Sequence, residues 1–137
     1  MGEIIGVDTS LFIYLFEDHS VFGGRAAHIL DRARDGHYRA VFSAIGLIEL
    51  LSGVKKKGRY DLARKYQEIL SGFPNLRIRG LNEHVVELAS DLRATYGVKV
   101  PDAVHLATAI DAGATIFFTN DRALRKVKEI KITTLSP

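Results

Sequence analysis

The 137-residue sequence contains no cysteine. Disulfide bonds, zinc sites built on thiolates and a cysteine nucleophile are therefore excluded together. The longest apolar stretch without a charge, residues 40–48, is far shorter than the ~20 residues needed to cross a bilayer. The first residues have no basic leader, and Asp8 interrupts their apolar run, so they do not predict a signal peptide. We expect a soluble, cytoplasmic protein with no membrane association.

The sequence also has little net charge, because it contains 19 Lys and Arg residues and 16 Asp and Glu residues. The formal net charge of +3 suits a polyanionic partner without requiring one. The length is typical of one globular domain, and no repeat or linker divides the chain. We therefore predict a single domain over residues 1–137.

Five short runs rich in β-branched and aromatic residues predict strands. They cover residues 4–7, 40–43, 76–78, 115–118 and 130–134. Helical patterns lie between them, the clearest from Asn82 to Tyr96, with Gly97 as its C-terminal stop, and another from Pro101 to near Gly113. Strands that alternate with helices favour an α/β three-layer domain with a mainly parallel five-stranded sheet. Ligands of such sheets bind at the carboxyl edge, where the strand order reverses.

Four acidic residues are expected near this edge. Asp8 directly follows the first strand, Asp121 closely follows the fourth, Asp102 lies in the first turn of a helix, and Glu49 lies about two turns into the helix after the second strand. Each aspartate could instead cap a helix or interact with the positive end of its macrodipole at the N-terminus. The sequence around Glu49 is so apolar that its charge should be paired or bound.

Four carboxylates in one place would repel one another unless a cation neutralised them. Because carboxylate oxygens prefer hard ions, the acids predict Mg²⁺ or Mn²⁺ as the cofactor. Bound metal can generate a hydroxide nucleophile and clamp a phosphodiester. The residues thus favour phosphodiester hydrolysis, with Asp8, Glu49, Asp102 and Asp121 as metal ligands and catalytic residues.

Four blocks of sequence together span nearly the whole chain: residues 7–14 (VDTSLFIY), 43–53 (SAIGLIELLSG), 101–109 (PDAVHLATA) and 118–121 (FTND). These blocks resemble the PIN-domain nucleases, in particular the VapC-like toxins of toxin-antitoxin pairs. The resemblance implies a Mg²⁺- or Mn²⁺-dependent endoribonuclease that leaves 5′-phosphate and 3′-hydroxyl ends. It also implies a homodimer and a small antitoxin that covers the site.

The same resemblance implies that the four acids hold the metal and that Thr9 or Ser10, with Thr119, orients ligands or water behind them. The chain departs from the family at Ala123, where many relatives carry a further polar or acidic residue, and this puts a fully occupied second metal site in doubt.

Several other residues are weighed for a role. The five histidines, His19, His28, His37, His84 and His105, lack metal-ligand spacing and are expected to be structural. His105 lies three residues beyond Asp102 and could reach a phosphate or a ligand carboxylate.

The basic residues Lys55, Lys56, Lys57 and Arg122 could follow an RNA backbone. Apolar residues of the first helices, including Phe12, Phe16 and Val21, could form a symmetric dimer contact.

Two other functions compete with the nuclease. A haloacid-dehalogenase-like phosphatase would also place an aspartate after the first strand, but it needs a second acid where this chain has Ser10. A receiver-type phosphoacceptor would need adjacent acids there. The remaining alternative is a PIN scaffold outside a toxin-antitoxin system. Such a protein could bind RNA or a partner protein without cutting, or could process RNA.

Overall fold

The computed structural model describes residues 2–136. Its elements follow in the order β1 Glu3–Val7, α1 Thr9–Phe16, α2 Gly23–Arg34, β2 Tyr38–Ser43, α3 Ala44–Lys55, α4 Tyr60–Ser71, β3 Leu76–Arg79, α5 Glu83–Tyr96, α6 Val100–Asp111, β4 Ile116–Thr119, a short 3-10 helix Arg122–Lys126, and β5 Lys131–Thr134. All five predicted strands are present, with ends that differ by up to two residues.

The sheet has the strand order β3-β2-β1-β4-β5, and every neighbouring pair is parallel. The predicted α/β class with a mainly parallel five-stranded sheet is therefore confirmed. The chain moves outward from β1 in both directions, so the order reverses between β1 and β4. This is the position at which an open parallel sheet opens a crevice at its carboxyl edge.

Side chains alternate between the two faces of the sheet and enter two cores. In β2, Ala40 and Phe42 pack with α1, α2, α3 and α4, whereas Val41 packs with α5 and α6. The resulting three layers are the arrangement predicted from the strand and helix order.

Helix α6 lies close against β1 because Gly6 has no side chain. A Cβ atom at Gly6 would stand 2.5 Å from Ala109 Cβ and 2.8 Å from Phe117 Cδ1, closer than packed atoms allow. This approach fixes the position of the helix that carries Asp102 and His105.

The predicted helix ends are also present. Asn82 accepts a hydrogen bond from the Val85 amide at 2.9 Å, and Gly97 ends α5 with a positive φ of 68°, as expected for an N-cap and a C-terminal glycine. Helix α6 begins at Val100, one residue before Pro101. Within residues 2–136, no helix is long and apolar enough to cross a membrane.

Candidate active site

Asp8 and Asp121 follow the two central strands β1 and β4. The Asp8 amide donates to the carbonyl of Phe118 at 3.0 Å, which continues the pairing of the two strands past the end of β1. Both aspartates therefore lie at the carboxyl edge where the strand order reverses, as the sequence predicts.

Thr119 connects these two aspartates. Its fully buried side chain donates to Asp8 Oδ2 at 2.6 Å, and its hydroxyl oxygen accepts from the Asp121 amide at 3.1 Å. Asp8 stands at the N-cap position of α1, yet its side chain makes no capping hydrogen bond there. The interpretation of Asp8 as a simple helix cap is therefore wrong, because its carboxylate is held by Thr119 instead.

Asp121 does cap a helix. Its Oδ1 accepts a hydrogen bond from the Ala123 amide at 2.9 Å, at the start of the short 3-10 helix. The capping interpretation is correct for this residue, and the cap also fixes the position of the carboxylate at the edge of the sheet.

Glu49 reaches the site from the second turn of α3. Its Oε1 accepts from Thr9 Oγ1 at 3.0 Å and lies 3.1 Å from His105 Nε2. The apolar sequence neighbours of Glu49 do not enclose its side chain. Its side chain is 44% exposed and the preceding Ile48 is 62% exposed, because this face of α3 is turned toward solvent. The predicted pairing of its charge is nevertheless present.

The hydrogen bond from His105 lowers the pKa of Glu49 below its usual value. Partial burial opposes this effect, whereas the Thr9 hydrogen bond and the charge of His105 add to it. The environment thus keeps Glu49 ionised, the form in which a carboxylate binds a cation.

Asp102 lies in the first turn of α6. Partial burial raises its pKa, and the negative charges of Asp8, Asp121 and Glu49 raise it further, whereas His105 opposes them. The structure therefore brings Asp8, Asp121 and Glu49 within electrostatic range of Asp102, although the four acids come from four separate segments of the chain.

The fit of a metal ion can be judged from these side chains. In residues 2–136, no three His, Asp or Glu side chains are already grouped at coordinating distances. The donor chemistry nevertheless fits a hard divalent cation, because an ionised Glu49 and mutually repelling carboxylates around Asp102 are the groups that such an ion would neutralise. Asp8, Glu49, Asp102 and Asp121 are therefore the residues that could hold it.

Sequence comparison identifies the family. A model of the PIN domain matches residues 5–130. The chain belongs to the PIN domain family. A search of curated protein sequences finds no significant match.

Solved structures share the fold of this PIN domain. VapBC2 from Rickettsia felis, bound to a DNA fragment from its promoter, aligns over 96% of this chain and 98% of its own, with 18% identity and a TM-score of 0.78. FitAcB from Neisseria gonorrhoeae has 20% identity, coverages of 96% and 97%, and a TM-score of 0.71. VapC20 from Mycobacterium tuberculosis, a sarcin-ricin loop cleaving toxin, has 18% identity, coverages of 94% and 99%, and a TM-score of 0.70.

His105, which the sequence predicts to be a structural histidine, contacts an acid of the site. Its ring is 3% exposed and stacks on Phe42 with centroids 5.9 Å apart, while Nε2 also lies 3.2 Å from Thr9 Oγ1. The sequence signal was the i, i+3 spacing from Asp102, which places both residues on one face of α6. The carboxylate that His105 contacts is that of Glu49.

The remaining predicted residues of the PIN domain differ in their surroundings. Thr9 and Thr119 contact carboxylates, whereas the buried Ser10 hydroxyl has no hydrogen-bond partner among residues 2–136. Lys57 lines a groove that also contains Glu49, and Lys55 lies over the Tyr60 ring at 5.6 Å. Lys56 and Arg122 are exposed, and Arg122 directly follows Asp121.

The apolar residues considered for a dimer contact do not form one surface. Phe12 is fully buried in the core, whereas Val21 is 66% exposed. Phe12 is therefore a core residue and is not available for a contact between subunits, which leaves Phe16 and Val21 as candidates.

Proposed function

We propose that this PIN domain is a metal-dependent endoribonuclease that hydrolyses RNA phosphodiester bonds. The observation that carries the proposal is the position of Asp8 and Asp121 at the carboxyl edge of the sheet, where Thr119 hydrogen-bonds to both. Burial raises the pKa of Asp102, and the charges of Asp8, Asp121 and Glu49 raise it further. Membership of the PIN domain family supports a nuclease, and the fold shared with the cleaving toxin VapC20 supports RNA as the substrate.

The cofactor we propose is Mg²⁺ or Mn²⁺, held by Asp8, Glu49, Asp102 and Asp121. When bound, such an ion neutralises the developing charge on the phosphate and lowers the pKa of water so that it can attack phosphorus. The chain's own contribution is to hold the carboxylates in place.

Three neighbouring residues orient these carboxylates. Thr119 donates to Asp8, whereas Thr9 and His105 both contact Oε1 of Glu49. Partners of this kind fix the rotamer of a metal ligand and commonly change metal affinity or activity by roughly 10–100-fold when removed. We assign Thr9, His105 and Thr119 to this positioning role. No contact supports the same role for Ser10.

The cellular setting we propose is that of a toxin with a small antitoxin partner. A structural neighbour from Klebsiella pneumoniae is a toxin-antitoxin complex, and this supports a protein that covers the acidic site. We propose the cytoplasm as its location, where RNA substrates are available. We also propose a homodimer, with Phe16 and Val21 near the contact, to be tested by sedimentation at micromolar concentration.

The test of the proposed function is incubation of the purified protein with a mixed RNA pool in Mn²⁺ or in a chelator. We expect cleavage in Mn²⁺ that leaves 5′-phosphate ends, no cleavage in the chelator, and none with Asp8→Asn. A matched single-stranded DNA pool reports selectivity for RNA. Intact RNA in Mn²⁺, with binding retained, would instead support the non-catalytic PIN scaffold.

A further inference from the structure

An edge strand of the sheet carries arginines on one face. In β3, Leu76 and Ile78 pack against the core shared with α1 to α4. Arg77 pairs in register with Val41 and Arg79 with Ser43, so both arginines lie on the opposite face, where Val41 meets the α5 and α6 core.

The face that carries these arginines forms a groove with a volume of about 320 Å³. Its charged lining comes from Arg39, Arg77 and Arg79, and its floor from residues of β1, β2 and the end of α6, including Ile4, Val41 and Ala112. Arg39 comes from β2, in register with Ile4 of β1, so two strands supply guanidinium groups to one concave surface.

The positive charge of this groove is only partly neutralised. Arg79 lies 3.4 Å from Asp111 Oδ2, and both side chains are mostly buried. Arg39 and Arg77 are exposed, and within residues 2–136 neither has an acidic side chain within 4 Å. The groove therefore presents two guanidinium groups to solvent beside one internal ion pair.

Charged residues on an edge strand commonly prevent sheets from associating edge to edge. That role could explain Arg77 and Arg79, because both belong to β3. It accounts less well for Arg39, which belongs to β2, the strand between β3 and β1. Two exposed guanidinium groups from two strands, beside the Arg79–Asp111 ion pair, fit a polyanion better.

We propose that this groove, named here the arginine groove and lined by Arg39, Arg77 and Arg79, binds phosphates of the RNA outside the bond that is cut. The inference rests on the proposed function. Arg79 of β3 pairs in register with Ser43 of β2, and Ser43 is the N-cap of α3, the helix that carries Glu49. Strand β1, which ends next to Asp8, is two strands away from β3. This end of the groove is therefore roughly 10 Å from the end of β1.

The groove continues away from the acidic site. Arg39 precedes Ser43 by four residues along β2, which corresponds to about 13 Å at the rise of a parallel strand. A single strand leaving the acidic edge can therefore place successive phosphates along Arg79, Arg77 and Arg39. Binding there extends the footprint of the RNA without touching the reacting phosphate.

The test compares Arg39→Gln/Arg77→Gln with the charge-matched control Lys65→Gln/Lys131→Gln. Lys65 and Lys131 are exposed and lie on α4 and on the opposite edge strand β5. The binding of a 20-nucleotide single-stranded RNA is followed by anisotropy in a chelator, over a series of salt concentrations. Circular dichroism verifies that both variants melt as the wild type does.

Loss of two phosphate contacts should flatten the slope of log affinity against log salt by about 1.4. When salt is lowered from about 1 M to about 0.1 M, the affinity of the variant should therefore rise roughly 25-fold less than that of the wild type. The control should keep the wild-type slope. Cleavage of a trinucleotide, too short to reach the groove, should be unchanged in the arginine variant.

Equal salt slopes for the arginine variant and the control would overturn the proposal. So would a change in the sedimentation of the arginine variant with RNA binding unchanged, because the groove would then be a protein contact. Failure of the wild type to cleave any RNA would reject the proposed nuclease, whereas the anisotropy result would still decide whether the groove binds RNA.

Discussion

The Nε2 atom of His105 lies 3.1 Å from Oε1 of Glu49, although the two residues are 56 positions apart in the sequence. Thr9 Oγ1 lies 3.0 Å from the same carboxylate oxygen and 3.2 Å from the histidine. Three segments of the chain therefore meet at one oxygen atom, and this contact fixes the acid that α3 contributes to the site.

Replacing His105 should weaken catalysis without removing any of the four carboxylates. We expect His105→Ala to lower the cleavage rate or the Mn²⁺ affinity by roughly 10–100-fold. His105→Gln, which keeps an N–H group near the position of Nε2, should recover part of this loss. The control is His84→Ala on the exposed surface of α5. Equal losses for the alanine and glutamine variants would indicate a purely structural role.

Gly46 allows α3 to approach His105 and Phe42. A Cβ atom there would overlap the Phe42 ring and stand 2.6 Å from His105 Cε1. Gly46→Ala should therefore destabilise the protein by roughly 1–3 kcal/mol and also reduce cleavage. Gly53→Ala lies on the same helix with nothing within 4 Å of the added atom, so it should stabilise by about 0.5–1 kcal/mol. Chemical denaturation of both variants measures the contrast, and similar effects would contradict the packing described here.

Asp102 should respond to metal more strongly than an ordinary surface carboxylate. Its raised pKa means that its charged form costs stability at neutral pH, and that this cost disappears as the pH falls through the folded pKa. In a chelator, Asp102→Asn should therefore melt slightly above the wild type, because solvent screens this partly exposed carboxylate. Mn²⁺ should raise the melting temperature of the wild type and of the control Asp91→Asn. It should raise the melting temperature of Asp102→Asn much less. Equal metal-induced shifts in all three proteins would exclude a shared site.

Glu49 should have the opposite effect on stability, because its charged form is favoured in the folded protein. Its folded pKa is lowered, chiefly by the His105 hydrogen bond, from a usual value of 4.5. The advantage of the wild type over Glu49→Gln should be present above about pH 4.5 and lost as the pH falls through the folded pKa. Because the side chain is 44% exposed, the advantage should stay below about 1 kcal/mol. Denaturation in a chelator between about pH 3 and pH 7 measures it, and an advantage that grows on acidification would be the wrong sign.

Local patterns were sufficient to predict the fold. The strands of this protein are short runs buried on both faces, such as Ile5 to Val7, and its helices have recognisable ends at Asn82, Gly97 and Pro101. Parallel pairing follows from the alternation of strands and helices. The carboxyl edge and the acids that follow β1 and β4 could therefore be located from the sequence.

The surroundings of individual site residues could not be predicted, because they depend on how helices pack. The apolar neighbours of Glu49 predict that its charge is paired or bound, but they do not predict that α3 exposes Ile48 and Glu49 together. Conversely, the close approach allowed by Gly46 encloses His105, and no periodicity in α6 predicts that contact. The sequence allows Phe12 as part of a dimer surface, but in the structure α1 directs its side chain into the core.

The central claim is that carboxylates holding a divalent metal carry out the cleavage, and single-turnover RNA cleavage at saturating Mn²⁺ tests it most directly. Replacing Asp8, Glu49 or Asp121 with the corresponding amide should slow cleavage at least ~100-fold while the fold and RNA binding persist, because each change removes negative charge from the metal site. The contrary result is Glu49→Gln cutting at the wild-type rate while His105→Ala is inactive, which would replace the carboxylate-metal mechanism with one based on histidine.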